Sequence, residues 1–191
     1  MEAQSKSRPP RDPAVAVWLF ACAFFVAAIV AVGGLTRLTR SGLSIVEWKP
    51  LLGALPPLGD AAWQAEFAKY QATPEFRLVN AGLTLDGFKE IYWVEWTHRL
   101  LGRLTGLIVI GPLAWFLARR RISKQQALHL FGLFLIGGLQ GFLGWFMVKS
   151  GLVNEPHVSP YRLTAHLVLA LALFAGLAWT ALDAAWSRPA P

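Results

Sequence analysis

The chain has 191 residues, 55% of them hydrophobic and 15% charged, with a mean hydropathy of +0.45. Its net charge of +7 and pI of about 10.1 would suit a nucleic-acid-binding domain if they formed a basic patch on a soluble fold. Instead the apolar residues gather in four membrane-length runs with the charges at their rims, which excludes nucleic acid as a partner and makes this an all-α integral membrane protein in contact with lipid.

A polar tail, residues 1–12, precedes the first span, near Ala14 to Leu35. This span is too long and too evenly apolar for a signal peptide, and Gly33-Gly34-Leu35-Thr36 does not end in a small-x-small cleavage pattern, so it reads as a retained helix. Cys22, the single cysteine, lies mid-helix among alanines and phenylalanines and reads as a small hydrophobe. No CxxC or Cys/His zinc spacing occurs, so redox chemistry here needs a bound cofactor.

The connection 36–90 is long for a mere link. Gly42, Gly53 and Pro56-Pro57 punctuate it, and Trp48 and Trp63 suit a membrane interface. Ala61 to Gln71, with Trp63, Phe67 and Tyr70 among charges, predicts a short amphipathic helix on the surface, and a second is expected from Asp86 into the next span. Such a loop is either a lid over a site or a passive cap.

Three further spans run near Ile91 to Leu117, Gln126 to Val148 and Tyr161 to Leu182, and residues 187–191 form a second tail. Together, residues 13–186 make a four-transmembrane-helix bundle. Lys6, Arg8 and Arg11 before the first span, and Arg119, Arg120, Arg121 and Lys124 in the second connection, place both on the cytoplasmic side of a cell inner membrane. Both termini are then cytoplasmic, and residues 36–90 and 149–160 lie outside. Arg37, Arg40, Lys49, Lys69, Arg77 and Lys89 weigh little against this, because loops of such length follow the charge rule poorly.

Two histidines stand at a common depth. His98 lies roughly 28 Å of helix from Leu117, and His166 roughly 26 Å from Asp183, so the rings stand nearly level in the outer leaflet, as for one metal between two imidazoles. An ionisable group within a span faces the bundle interior by default and marks a site. His129 begins the third span at the opposite side, and His157, in the short outer loop, is more simply solvated.

Gly102 and Gly106 follow His98 at i+4 and i+8, leaving bare backbone beneath it. That groove suits either a flat macrocycle or close helix packing. Gly137, Gly138, Gly141 and Gly144, around Gln140, fit packing better. Arg99, Arg103 and Arg162 suit heme propionates or lipid headgroups. Glu95 shares a helical face with His98: it is a candidate proton acceptor, or a partner for Arg99 at i+4, or an offset to the helix dipole.

Three ordered motifs, GGLTRLTRSGLSIVEWKPLLGALPPL, EIYWVEWTHRLLGR and NEPHVSPYRLTAHL, closely resemble the first half of heme A synthase in its alphaproteobacterial and mitochondrial form. The resemblance covers essentially the whole chain after the tail. It implies oxidation of a methyl group of heme O, through a hydroxymethyl intermediate, to the formyl group of heme A for cytochrome oxidase. It implies heme O as substrate and heme O synthase as a partner. Glu95 matches the family's catalytic glutamate, and His98 and His166 match the histidines that hold the heme iron. The lack of a cysteine pair in the outer loop also suits this form. Family members have a second four-helix half, with two further histidines for a heme b, and this sequence ends at Pro191. A truncated product, a half joined by a separately encoded partner half, and a homo-oligomer are all compatible with that ending. The alternative function is a b-type heme-binding or electron-transfer module without oxidase activity of its own. A purely structural assembly factor would leave the paired histidines unexplained.

Overall fold

The computed structural model describes residues 12–49, 52–152 and 158–186. Lys6, Arg8, Arg11, His157 and the 187–191 tail lie outside the described residues. The elements are α1 (Pro13–Leu38), a 3-10 turn (Leu52–Ala54), α2 (Asp60–Gln71), α3 (Pro74–Leu78), α4 (Leu85–Ala118), α5 (Lys124–Gly151) and α6 (Pro160–Trp186). Helices α1, α4, α5 and α6 are long and apolar enough to cross a membrane, and they contain the four spans expected from hydropathy.

The helix ends are written in polar residues that hydropathy does not see. Asp12 accepts from the Ala14 and Val15 N–H groups at the start of α1. Ser123 and Gln126 form a reciprocal capping box on α5. Thr84 caps α4 two turns before the apolar run begins. At 34 residues, α4 is about 51 Å long against a hydrocarbon core of about 30 Å, so it overhangs the bilayer. The second amphipathic helix expected from Asp86 is this overhang, continuous with the span. The first is α2, and its aromatic side is buried: Trp63 and Tyr70 pack with Phe88 and Tyr92 of α4. Thr73 and Pro74 start the short α3, which apolar periodicity does not reveal.

The four long helices form a ring in which α1 packs on α4 and α6, and α5 packs on the same two. Helices α1 and α5 are one diagonal, and α4 and α6 the other. One end of the ring is closed by Trp18, Leu19, Cys22, Val26, Leu113, Phe116, Ile122, Leu130 and Leu177. Pro112 lies inside α4 and has no N–H to give the carbonyl of Ile108. The Trp18 indole N–H supplies the missing bond from α1 at 2.8 Å, which matters where no water can do so. Arg121 pairs with Asp12 across this end, tying the α4–α5 turn to the start of α1. The other end carries the cap, made of residues 39–49, α2 and α3.

Candidate functional site

His98 lies on α4 and His166 on α6, the two helices of one diagonal. Each ring is seated on a glycine of an intervening helix. A Cβ built at Gly33 of α1 would stand 3.1 Å from His98 Nε2, and one at Gly144 of α5 would stand 3.3 Å from His166 Cε1. Both contacts are tighter than a side-chain carbon ordinarily tolerates, so glycine is what allows each imidazole to turn into the bundle. Beneath His98, Gly102 and Gly106 face open space, with no neighbour within 4 Å of an added Cβ.

His166 is further held through its backbone. Gln140 of α5 donates its amide N–H to the His166 carbonyl at 3.0 Å. His166 Nδ1 and Gln140 Oε1 are both buried without a hydrogen-bond partner. A buried imidazole nitrogen in that condition is costly unless something else engages the ring. Among the described residues no three His, Cys, Asp or Glu side chains gather as a metal site. His129 stands elsewhere, its Nε2 3.2 Å from Thr180 Oγ1.

Glu95, one turn before His98, is 2% exposed. Ser44 Oγ donates to its Oε2 at 2.7 Å and the Ile45 N–H to the same oxygen at 2.8 Å. Arg99 Nε donates to Oε1 at 2.9 Å, and a second guanidinium nitrogen joins the same oxygen. Arg99 also donates to the Ile45 and Glu47 carbonyls at 2.8 and 3.2 Å. Arg103 continues the series, donating to the Lys49 carbonyl at 3.0 Å. One face of α4 thus straps residues 44–49 across the bundle with a buried ion pair at the centre. Arg99 is therefore engaged by Glu95 and the strap. Arg162, at the cap end of α6, lays its guanidinium over the Phe146 ring, 4.7 Å from the centroid.

Sequence reasoning brought out the two histidines, Glu95, Gly102 and Gly106. It passed over Gly33 as part of a motif and assigned Gly144 to packing. A signal for both existed: each lies in a span at the depth of a histidine that needs room. Nothing in the sequence marks Ser44 and Ile45 as carboxylate ligands, because their role depends on how the chain turns back after α1.

A ring of four membrane-length helices, with a histidine seated on a glycine at each of two opposed members and a polar strap over one end, defines a multi-pass helical membrane protein. Residues 16–190 match the family model for the cytochrome oxidase assembly protein COX15-CtaA, and the chain belongs to that family. It is 54% identical over 169 residues to "Heme A synthase" of Nitrosospira multiformis, covering 88% of this chain and 48% of the relative. Against the protein of the same name from Novosphingobium aromaticivorans it is 57% identical over 172 residues, 89% of this chain and 49% of the other. For the Rhodopseudomonas palustris protein the figures are 52% over 184 residues, 96% and 50%. The chain spans about half the length of the curated relatives it matches. No solved structure matches it.

Proposed function

We propose that this chain is the substrate-binding half of a heme A synthase, taking heme O between α4 and α6 in the oxidation of one heme methyl group to a formyl group. The observation that carries this reading is the seating of His98 and His166 on Gly33 and Gly144. Two half-buried imidazoles on diagonal helices, beside an α4 face without side chains at Gly102 and Gly106, are residues that would suit holding a planar heme and its iron. When bound, the heme supplies the iron and the methyl group to be oxidised.

The chain's own residues bind, orient and neutralise. His98 and His166 would hold the heme iron, with Gly33 and Gly144 fixing the ring positions. Arg162 takes a propionate, and Arg99 contributes charge from within the Glu95 network. Glu95 presents a fixed negative charge near the bound group and assists methyl oxidation as a proton acceptor or as an electrostatic stabiliser. The strap 44–49 excludes water above it. Activity further calls for a second four-helix half or another copy of this chain, with heme b in that second half, and for a heme O synthase that delivers the substrate. The basic residues of the α4–α5 turn support an orientation with that end in the cytoplasm and the cap outside.

Purifying the chain from membranes that make heme O, then identifying the extracted hemes by chromatography and mass spectrometry, tests the reading. Heme A, or its partly oxidised precursor, is the expected product with both halves present, and Glu95→Gln should keep heme while stopping oxidation. Heme B held without oxidation under all those conditions would favour a b-type electron-transfer module instead.

A further inference from the structure

The cap holds a second buried carboxyl group. Glu75 of α3 is 5% exposed, and its Oε2 is buried and makes no hydrogen bond. Its treatment is opposite to that of Glu95, whose two oxygens accept four hydrogen bonds. A carboxylate without donors pays heavily to be charged in such a place, whereas a neutral carboxylic acid does not.

Two charged groups act on Glu75, and a third titratable group feels its charge. Glu95 acts on it from α4 and opposes its ionisation, while Arg40, in the turn after α1, favours it more weakly. Tyr70 of α2 also feels the Glu75 charge, and burial pushes the Tyr70 phenol up to about 12, so it stays neutral. Burial first, and then Glu95, raise Glu75 to about 7.

We propose that Glu75 is a proton-binding site of the cap, holding an exchangeable proton on a buried carboxyl group that has no hydrogen-bond donor to stabilise its charged form. Release of that proton leaves a negative charge on a buried oxygen without a donor, while Arg99 is already committed to Glu95. The inference rests on Glu75 and its surroundings and holds whichever heme the bundle takes.

Infrared titration of the full chain in detergent between about pH 5 and pH 9 tests it, read as the difference between wild type and Glu75→Gln. The expected result is a protonated-carboxyl band in wild type that is missing from the variant and disappears as pH rises through about 7. Arg40→Gln should move that midpoint up and Glu95→Gln should move it down. Labelling with dicyclohexylcarbodiimide, which attacks protonated carboxyls, assigns the band without any substitution. The tryptic peptide Tyr70 to Arg77 contains Glu75 as its one acidic side chain, and its labelling should fall over the same pH range. Absence of the band at every pH, or a midpoint in the ordinary carboxylate range, overturns the proposal.

Discussion

The closed end and the histidine end of this bundle are built from the same four helices, yet they pack by different rules. At the closed end large side chains interlock, with Trp18, Leu19 and Phe116 each under 10% exposed, and a proline-freed carbonyl is satisfied by an indole from the next helix. Around the histidines the helices meet through glycine, two glycines of α4 face open space, and polar atoms on His166 and Gln140 are left without partners. In a membrane, helix association rests on packing and interhelical hydrogen bonds, because lipid already solvates apolar surface. A bundle that leaves one end loose must therefore be held elsewhere. Here the closed end and the Glu95 strap do that holding on either side of the histidine level.

The sharpest way to break this comparison is to remove the imidazoles. His98→Ala and His166→Ala should each abolish heme retention, at least tenfold by the pyridine hemochrome spectrum, while helical content by circular dichroism stays at the wild-type level. Unchanged heme in both variants would separate the histidine level from any ligand. Next comes the strap. Glu95→Ala strands the Arg99 guanidinium, which is 11% exposed in the pair, and breaking a buried pair on one side costs about 3–5 kcal/mol. The expected signature is early loss of the cap to protease, with the closed end still folded in graded denaturing detergent.

The four spans were legible because a run of about 20 apolar residues has few other physical meanings. The histidines were legible because a polar ring inside such a run is expensive. What escaped the sequence is tertiary. That α4 and α6 are diagonal, and that Gly33 and Gly144 each lie under a ring, follow from the order of packing around the ring of helices, which no single span encodes. Glu95 showed the same limit: its i+4 partner Arg99 was readable from helical spacing, but Ser44 and Ile45 approach it from about 50 positions away. Glu75 gave no signal at all, since an acidic residue after a proline reads as an ordinary first-turn helix residue.

Two smaller effects sharpen the contrast. Trp18→Phe keeps an aromatic ring but removes the N–H that serves the Ile108 carbonyl, leaving that acceptor only the long Cys22 Sγ contact at 4.0 Å, and under-satisfying a buried acceptor costs about 1–3 kcal/mol. That loss should appear in the global unfolding midpoint with heme content unchanged, the reverse of the histidine variants; a fall in heme instead would mean that the two ends are coupled.

The smallest effect is Glu47→Gln on the outer side of the strap, where Lys49 and Lys69 hold a partly exposed carboxylate. Exposed pairs contribute at most about 1 kcal/mol and less in salt, so cap protection from protease should drop slightly and only at low ionic strength. Its pH dependence runs opposite to that of Glu75. Hydrogen bonds from the two lysines lower Glu47 to about 2, so its contribution is present above the ordinary carboxylate range and is lost as pH falls toward 2. Glu75, raised to about 7, favours the folded cap most when protonated and loses that advantage as pH rises from about 4.5 through 7. Cap protection in wild type should therefore peak in mild acid. Glu75→Gln should flatten the neutral side of that peak, Glu47→Gln should flatten the acid side, and the closed end should follow neither.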